Sequence, residues 1–439
     1  MPTIEEIAVF AKKKGFVFQN SEIYGGMAGF YDYGPLGVEM MRNIKNRWWK
    51  DVVRSRKNVV GIDGSIISSS NVWEAYGHLE NFVDILVECK KCNKKVRADH
   101  LVEEQLKIPT DGMSPDQLMT LIKKHKIKCN ECGSEFDKIS EFNLMFKTNI
   151  GSSGDEVGYL RAETAQIIFV NFKNVLETSR QKLPFGIAQI GKVFRNEIAP
   201  RNFLFRMREF EQMELEFFVH PKRKDDCDIF KDVEKNKVNV LTAEAQTKES
   251  QDIIKATVGD LVKKKIIKTK WQAYWIGYMY KWFVDMGINP EKLRLREHVK
   301  DELSHYSSST WDIEYHYAFG WKELEGIADR SDFDLTQHTK FSKQDLSYFD
   351  PETKERVVPH VVAEPSVGVD RIFLTLLIDA YNEEEVKGEK RVVLKLNPDI
   401  APFRVAIFPL VSKNGLDEKA REVFNSLKGK FNTFFDESG

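Results

Sequence analysis

The sequence predicts an α+β fold in which an antiparallel β-sheet carries helices against one face. Residues 210–218 and 311–317 alternate apolar and polar side chains, as half-buried strands do. Residues 38–57 instead repeat apolar side chains at helical spacing, and the segment after residue 368 is apolar enough for a buried helix. Two C-x-x-C pairs interrupt this pattern, so we expect an insertion beside the sheet.

The elements follow in chain order. An amphipathic helix opens the chain and lacks the continuous apolar core of a signal peptide. The helix over 38–57 follows a Pro-Leu-Gly entry and leads into a strand over 58–67. Beyond the insertion, FNLMFKT predicts a strand, and AETAQIIFVNFKNVLETSRQK predicts a helix that ends before Pro184. VPHVVAEPSVGVDRIFLTLLIDAY predicts a strand, a turn and a helix, and FRVAIFPLV opens a new βα pattern.

These elements divide the chain into six segments. We expect the main domain at 1–81, 141–220 and 271–400, a cysteine-rich insertion at 82–140, a helical insertion rich in Lys, Asp and Glu at 221–270, and the start of a C-terminal α/β domain at 401–439.

Composition excludes several classes of protein. The 439 residues have a hydrophobic content of 42% and a charged content of 30%, which is typical of a soluble globular protein. No apolar run reaches the length of a membrane span, so we expect no membrane partner. The net charge of −1 gives no overall field that attracts nucleic acid. The lysine runs at 122–128 and 262–268 are, by themselves, typical of solvated surfaces.

The cysteines indicate a metal site. Cys89 and Cys92 form CKKC, Cys129 and Cys132 form CNEC, and Cys227 stands alone. Two such pairs in a chain without a secretion signal favour four thiolates around one Zn²⁺ over disulfides. Four reduced cysteines without metal remain the alternative, and we expect Cys227 to be inert.

The stretch VFRNEIAPRNFLFRMREFEQMELEFFV predicts a pocket floor. Alternation places Phe210, Gln212, Glu214, Glu216 and Phe218 on one strand face, and the intervening apolar residues face the core. A long Arg-rich loop precedes this strand, so the pair of strands suits an anionic and aromatic ligand. A solvent-exposed face with surface ion pairs is the alternative, but such a face would not need Phe210.

The same stretch resembles motif 2 of the class II aminoacyl-tRNA synthetases, and EPSVGVDR resembles their motif 3. The helix over 38–57 with its strand resembles motif 1. The ordered series YDYGPLG, RAETAQ, FGIAQIGKVFRNEI, REFEQME, LREHVKDELSHYS, ELEGIADR and DLSYFD is similar to glycyl-tRNA synthetases of the homodimeric type. The sequence differs from the family motifs at two places. The proline of motif 1 is replaced near Ser70, and motif 3 keeps one glycine, Gly368, and has Asp370 two residues later.

The resemblance implies ATP-dependent activation of glycine and its transfer to tRNA-Gly by a cytoplasmic homodimer, with Mg²⁺ on the ATP phosphates. Arg195 and Arg371 would be catalytic, on the α- and γ-phosphates. Glu197 would read the adenine amino group and Phe210 would stack on the ring. The full set of ATP-binding residues would be Arg195, Asn196, Glu197, Phe205, Arg206, Met207, Arg208, Glu209, Phe210, Glu323, Leu324, Gly368, Val369, Asp370 and Arg371.

Glycine offers only an ammonium and a carboxylate to hold. The resemblance and the carboxylate-rich segments imply that Glu163, Glu214 and Glu364, with Ser366, face the ammonium. Arg330 or Arg97 would bind the carboxylate. The full set for glycine would be Arg97, Glu163, Phe210, Glu211, Gln212, Met213, Glu214, Arg330, Glu364, Pro365, Ser366, Val367 and Gly368.

Two other classes stay open from the sequence. One is a non-catalytic synthetase-like accessory protein that binds nucleic acid, against which the retained Arg195, Glu197, Phe210 and Arg371 argue. The other is a synthetase for threonine, proline or serine, against which the three glutamates argue. The resemblance also implies that residues 401–439 open an anticodon-reading domain that is longer in the family. We therefore expect glycyl-adenylate formation at a substantial rate but poor charging of tRNA-Gly, mainly through a raised KM for tRNA.

Overall fold

A mixed nine-stranded sheet forms the centre of the computed structural model, which describes residues 1–108, 110, 113–248, 251–411 and 413–437. Its strands are β1 Val59–Ile62, β2 Phe185–Phe194, β3 Glu209–Val219, β4 Lys237–Leu241, β5 Ile254–Thr257, β6 Leu293–Glu297, β7 Ser309–Tyr317, β8 Gly320–Asp329 and β9 His360–Gly368. They lie in the order β5-β4-β6-β7-β8-β9-β3-β2-β1. Neighbours are antiparallel except β1–β2 and β4–β6, which are parallel. The α+β fold class is therefore confirmed.

Three long helices cover one face of the sheet. They are α1 Pro35–Trp48, α2 Lys270–Asp285 and α3 Val369–Ala380. Side chains from all three pack with Leu215 and Phe217 of β3 in the main hydrophobic core. In α1, Gly37 fits because a Cβ there would lie 1.9 Å from the carbonyl oxygen of Phe16. On the other face, Phe185, Ile187 and Phe218 pack with the helices Ala165–Val170 and Phe172–Ser179, beside the polar side chains of β3.

The cysteine-rich segment has its own sheet and core. Strands Val83–Cys89, Lys95–Arg97 and Phe136–Asn143 form a three-stranded antiparallel sheet. Helices Ala98–Leu106 and Pro115–Lys124 pack on it around Val87, Leu118 and Phe136. We call residues 82–143 the cysteine subdomain.

The predicted helical insertion at 221–270 is wrong. Its residues include β4 and β5, which extend the central sheet, and the short helices Ala243–Gln246 and Val258–Lys263. Val238 and Val240 of β4 are buried in the main core, so apolar packing overrides the polar composition of the segment.

The remaining elements surround this frame. The other helices are Ile4–Lys13, Ser70–Tyr76, His78–Asn81, Ala165–Val170, Phe172–Ser179, Phe333–Ser342 and Leu416–Leu427, with a π-helical turn at Trp49–Arg54 and short 3₁₀ turns. Smaller sheets pair Val17–Gln19 with Tyr31–Tyr33, Tyr348–Phe349 with Arg356–Val357, Tyr381–Val386 with Glu389–Leu394, and Val405–Ile407 with Thr433–Phe435, and a three-stranded sheet joins Ile67–Ser69, Glu156–Leu160 and Phe146–Ile150. Among the helices described, none is long and apolar enough to cross a membrane. Ser438 and Gly439 of the predicted C-terminal segment lie outside the described residues.

Candidate active site

Three strand ends converge on one cavity on the open face of the sheet. β2 and β3 pair with Val193 opposite Phe210, and β9 lies beside β3 with Gly368 opposite Gln212. The cavity has a volume of 310 Å³. It is lined by Arg195, Glu197, Leu204, Phe205, Arg206, Met207, Phe210, Gln212, Glu323, Ser366, Gly368, Asp370 and Arg371.

Arg195 is fixed at the start of the loop between β2 and β3. Its Nε donates to the carbonyl of Ala162 at 3.0 Å. The guanidinium lies 5.5 Å from the ring centres of both Phe82 and Phe210. Among the described residues its two Nη groups have no partner, so they can donate to a bound anion.

Arg371 approaches the cavity from the first turn of α3. Its Nε donates to the carbonyl of Phe205 at 3.3 Å, and its Nη1 lies 3.3 Å from a carboxylate oxygen of Glu323. The guanidinium also stacks 4.6 Å from the Phe205 ring. Two arginines therefore face the same cavity from different elements, which suits a ligand with several phosphates.

The loop itself is closed by an ion pair between neighbouring cavity residues. The Nε of Arg206 donates to Oε2 of Glu197 at 2.7 Å, and Glu197 is buried. Arg208 donates to the carbonyl of Glu197 at 2.8 Å, which fixes the backbone on the other side. A buried carboxylate beside the aromatic ring of Phe210 can accept a hydrogen bond from an adenine amino group.

Several buried glutamates lie on the same sheet face, behind the cavity residues Gln212 and Ser366. Glu214 lies opposite Ser366. Carboxylate oxygens of Glu214, Glu216 and Glu364 lie within 4.8 Å of one another, and all three residues are buried. Three buried carboxylates this close cannot all be ionised without a cation between them.

Burial raises the pKa of Glu364 to about 8, and Glu214 and Glu163 add to the effect while Arg330 opposes it. Burial and Glu163 also raise the pKa of Glu214, although Thr164 and Ser366 donate hydrogen bonds to it. The cluster therefore holds protons in the free protein and gains most from a ligand that brings a positive charge.

Glu163 differs from the other glutamates. Burial would raise its pKa, but His78, Arg330 and Arg195 outweigh burial and lower the pKa to about 2. Gln166 donates to Oε1 of Glu163 at 3.2 Å. Glu163 is therefore an ionised carboxylate beside the cluster of Glu214, Glu216 and Glu364.

Arg330 supports the cluster and has few donors left for a ligand. Its Nε and Nη2 donate to Asp334, both at 2.7 Å, and its Nη1 donates to Glu364 at 2.8 Å. Its guanidinium stacks 3.9 Å from the ring of Tyr306, and the residue is 1% exposed. Protein carboxylates accept from three of its five N–H donors, so direct binding of the glycine carboxylate by Arg330 stays a prediction.

The four paired cysteines meet at one end of the cysteine subdomain. Sγ of Cys89 lies 3.4 Å from Sγ of Cys132, and Sγ of Cys92 lies 3.7 Å from Sγ of Cys129. The two turns match, since the amide of Asn93 donates to the carbonyl oxygen of Cys89 and that of Gly133 donates to the carbonyl oxygen of Cys129. Tetrahedral Zn²⁺ with Zn–S bonds of about 2.3 Å separates its sulfurs by about 3.8 Å, so this set fits zinc.

Comparison with known proteins gives the family of this chain. Residues 146–381 match the family model described as tRNA synthetase class II core domain (G, H, P, S and T). Glycine–tRNA ligases from Caldanaerobacter subterraneus subsp. tengcongensis and Acetivibrio thermocellus are 48% and 46% identical to it, over 100% of this chain and 86% of each relative. The chain belongs to the glycine–tRNA ligases.

Solved structures agree at the level of the fold. The prolyl-tRNA synthetase of Cryptosporidium parvum, complexed with halofuginone and AMPPNP, matches with a TM-score of 0.58 at 12% identity. The match covers 98% of this chain and 62% of that one, so the chain spans about three fifths of that synthetase. The core domain is shared among synthetases of different specificity. The similarity to glycine–tRNA ligases distinguishes this chain from the others.

Several residues predicted for a glycine–tRNA ligase site point elsewhere. The strand residues among them turn to the helical face or the rim, and Val369 lies at the start of α3. Met213, Leu324, Val367 and Val369 are buried in the main core. Glu211 pairs with Lys45 at 2.9 Å, and Glu209 pairs with Lys192 at 3.1 Å. The prediction of ligand contacts for these six side chains is corrected.

Four further predicted residues contact other parts of the protein. Arg97 pairs with Asp84 at 2.8 Å in the cysteine subdomain, so it is not in the glutamate cluster. The amide of Asn196 donates to the carbonyl of Leu144, and Arg208 donates to that of Ala28 at 2.9 Å. Pro365 is buried within β9 beside Glu364. None of these four residues is among those that line the cavity.

Sequence reasoning missed two carboxylates that the glycine–tRNA ligase fold brings to the site. Glu216 belongs to the glutamate cluster, and strand alternation alone placed it on that face. Asp312 on β7 and Glu323 on β8 both lie next to Gly326. A Cβ added to Gly326 would be 3.8 Å from a carboxylate oxygen of Asp312 and 3.9 Å from one of Glu323. Only the pairing of β7 with β8 could have revealed Asp312.

Proposed function

We propose that the 310 Å³ cavity binds ATP and that the buried glutamate cluster binds glycine, so that the chain forms glycyl-adenylate and transfers glycine to tRNA-Gly. The observation that carries this proposal is the meeting of Arg195, Phe210 and Arg371 in one cavity beside three buried carboxylates. The first set suits a nucleotide polyphosphate and the second an ammonium.

Positioning and charge stabilisation supply the catalysis. A carboxylate oxygen of glycine attacks the α-phosphorus of ATP, and the bond to pyrophosphate breaks. The free Nη groups of Arg195 stabilise the charge on the α-phosphate oxygens, and Arg371 holds the γ-phosphate end. A hydroxyl of the terminal tRNA ribose then attacks the carbonyl carbon, and AMP leaves.

Glycine is selected by charge and by size. Glu163, Glu214 and Glu364 hold the ammonium, and Arg330 fixes Glu364 from behind. Thr164 hydrogen-bonds Glu214, and Gln212 donates to Ser366 at 2.6 Å, so these side chains are held in fixed positions around the ligand. A larger amino acid is excluded by clash.

Two metals fit this function. Glu323, with Asp312 beside it, would hold Mg²⁺, which neutralises phosphate charge when it is bound. Cys89, Cys92, Cys129 and Cys132 would hold a structural Zn²⁺. We also propose that the chain works as a homodimer in the cytoplasm, where tRNA charging serves protein synthesis.

The deciding experiment is exchange of labelled pyrophosphate into ATP with a panel of amino acids. We expect exchange with glycine and none above background with alanine, serine, threonine or proline. Exchange with serine or proline but not with glycine would contradict the assignment of the pocket, and no exchange at all would favour a non-catalytic nucleic-acid-binding protein.

A further inference from the structure

His78 lies in the main domain, close to the point where the cysteine subdomain begins. It opens the short helix His78–Asn81 directly after Gly77, whose φ of +93° lets the preceding helix end and the chain turn. The side chain of Asn143 donates to the carbonyls of His78 and Leu79 at 3.0 Å, which fixes the backbone of this turn. The backbone therefore gives the His78 side chain a defined direction.

The imidazole of His78 is held between aromatic rings. The ring centre of Phe82 lies 4.5 Å from it with an interplanar angle of 10°, and that of Trp73 lies 5.6 Å away with an angle of 24°. Tyr76 adds a tilted ring at 4.6 Å, and the His78 side chain is only 11% exposed. Rotation of the imidazole would break these contacts, so its two nitrogens point in fixed directions.

The Nε2 atom of this imidazole lies 3.4 Å from Oε2 of Glu163. It is buried and has no shorter hydrogen bond to any described residue, and Glu163 carries the one described carboxylate within 4.0 Å of it. Such contacts are often long in a free enzyme and shorten when the ligand is bound. A ring that served packing alone would be better as phenylalanine, because a buried N–H group without an acceptor destabilises the fold.

Glu163 has few neighbours that stabilise its charge. Its Oε1 accepts from Gln166 at 3.2 Å, and within the described residues His78 is the one basic side chain closer than 4.0 Å to the carboxylate. Burial raises the pKa of Glu163, and His78 has the largest opposing effect, ahead of Arg330 and Arg195. Loss of the His78 contact would therefore favour the protonated form, which cannot pair with an ammonium.

Other charged or titratable side chains face Glu163 from the elements packed against it. They are Arg195, Arg330, Glu214, Glu364, Tyr76 and Tyr306. Repulsion from the two glutamates favours protonation of Glu163, and the two arginines oppose it. The two tyrosines stay neutral, because burial raises the pKa of both phenols. Removal of His78 therefore shifts this balance toward the protonated carboxyl.

We propose that His78 is a positioning residue whose Nε2–H group donates to Oε2 of Glu163 and holds this carboxylate in place for the ammonium of glycine. This inference rests on the proposed function, in which Glu163 binds that ammonium. His78 acts through Glu163 and is not among the residues that line the ATP cavity. A change at His78 should therefore affect the use of glycine and not that of ATP.

Two variants of His78 separate the hydrogen bond from the packing, and a third variant is the control. His78→Phe keeps an aromatic ring between Phe82 and Trp73 but removes the donor, whereas His78→Gln keeps a donor of similar reach without the ring. The control is His360→Phe. His360 also has a buried ring nitrogen without a partner among the described residues, but it lies at the opposite end of β9 from Gly368.

The KM values for glycine and ATP in pyrophosphate exchange are the first measurement. We expect His78→Phe to raise the KM for glycine about tenfold, because a hydrogen bond to a buried charge is lost, and to change the KM for ATP less than about twofold. His78→Gln should keep the KM for glycine within about threefold of the unmodified chain. His360→Phe should change neither KM.

Three outcomes would overturn the role of His78. They are an unchanged KM for glycine in His78→Phe, equal rises of both KM values in that variant, and a KM for glycine in His78→Gln as high as in His78→Phe. If His78→Phe does not fold, His78→Leu takes its place, because leucine also lacks the donor and fills less space.

The pH profile is a second measurement that a role in packing alone would not change. In the unmodified chain Glu163 is ionised above about pH 2, and Glu364, whose pKa burial raises to about 8, is the group that titrates. In His78→Phe, Glu163 should also bind a proton as the pH falls. We expect log kcat/KM for glycine to fall more steeply toward low pH in His78→Phe than in the unmodified chain. Parallel profiles would contradict the proposal.

A double variant tests whether His78 acts through Glu163. Once Glu163→Gln has removed the charge, His78→Phe should raise the KM for glycine little further, and additive effects would overturn the proposal. Absence of glycine-dependent exchange in the unmodified chain would refute the proposed function instead. An active chain whose KM for glycine does not respond to His78→Phe would refute only the role of His78, so the two failures are distinguishable.

Discussion

Arg195 and Arg201 lie on the same loop but in different surroundings. Arg195 is anchored over Phe210 with its Nη groups toward the cavity, while Arg201 is half exposed and 3.8 Å from Glu104. We expect Arg195→Ala to lower glycine-dependent pyrophosphate exchange by about 10² or more, because the guanidinium binds charge that develops in the transition state. Arg201→Ala is the control and should retain exchange within a few fold. Near-normal exchange in Arg195→Ala would contradict the assignment.

Glu216 supports the ammonium site in its neutral form. Both its carboxylate oxygens are buried without a partner in the described part of the chain, and burial, followed by Glu364, raises its pKa well above the usual range. We expect Glu216→Gln to keep the KM for glycine within about threefold, because the amide keeps the size and a donor. Glu216→Leu should raise that KM about tenfold and leave the KM for ATP unchanged.

A matched control for Glu216 exists on the other face of the sheet. Glu325 is equally buried and unpartnered within the described residues, but it lies opposite Val367 on the helical side. Glu325→Gln should leave the KM for glycine unchanged. If Glu216→Gln is as harmful as Glu216→Leu, the negative charge of Glu216 matters and the neutral role is wrong.

Glycine use should depend on pH through Glu364. Its pKa is raised to about 8 in the free protein, so the carboxyl is protonated below that pH and must lose its proton to hold an ammonium. We therefore expect kcat/KM for glycine to rise between about pH 6 and 8, since this parameter reports groups of the free enzyme. Measured in exchange assays, the KM for ATP should vary much less. A flat profile for glycine would show that Glu364 is already ionised.

The sequence predicted the site residues that a short motif or strand alternation identifies. It missed the residues that come together only through contacts of the tertiary fold. Arg195, Glu197 and Phe210 follow from one motif and strand alternation, and Arg371 from the resemblance of a second motif. The role of Arg330 could not be predicted in this way. Its partners Asp334 and Glu364 come from a helix and a strand whose contact depends on the tertiary fold.

At the scale of elements, the cysteine subdomain should depend on its metal while the main sheet does not. Its core around Val87 and Leu118 is separate from the main core. A small core of this kind gains much of its stability from a structural zinc. We expect chelation to abolish amide protection in residues 83–143 and to leave β2 and β3 protected, as measured by hydrogen exchange. Loss of protection in β3 as well would show that the two units unfold together.

Elements were predicted best where apolar periodicity was strong. The helix after Gly368 was expected, and α3 is buried along most of its length. β4 and β5 were missed because their segment is rich in Lys, Asp and Glu, and only the edge position of β5 in the sheet tolerates such a composition. An edge strand is partly exposed to water, so apolar and polar residues alternate less regularly in its sequence.

At the scale of the whole molecule, α2 joins the strands into one unit. It lies across β7, β8 and β9, and Trp275 at its centre is 0% exposed. The ring of Trp275 lies 5.3 Å from that of Phe217 on β3 and 4.5 Å from the guanidinium of Arg56. One side chain thus contacts the sheet and the segment after α1.

We expect Trp275→Ala to lower the free energy of unfolding by about 3–5 kcal/mol, because the side chain is fully buried and the site is lined by rigid aromatic groups that cannot close the cavity. Denaturant unfolding followed by tryptophan fluorescence measures this loss. Trp321→Ala is the control, since Trp321 lies near the start of β8 beside Arg294 and is only partly buried. At a temperature where both variants are folded, the KM values for glycine and ATP should match those of the parent, because neither tryptophan lines the cavity. If Trp275→Ala lowers the free energy of unfolding only as much as the control does, packing of α2 on the sheet is not a main source of stability.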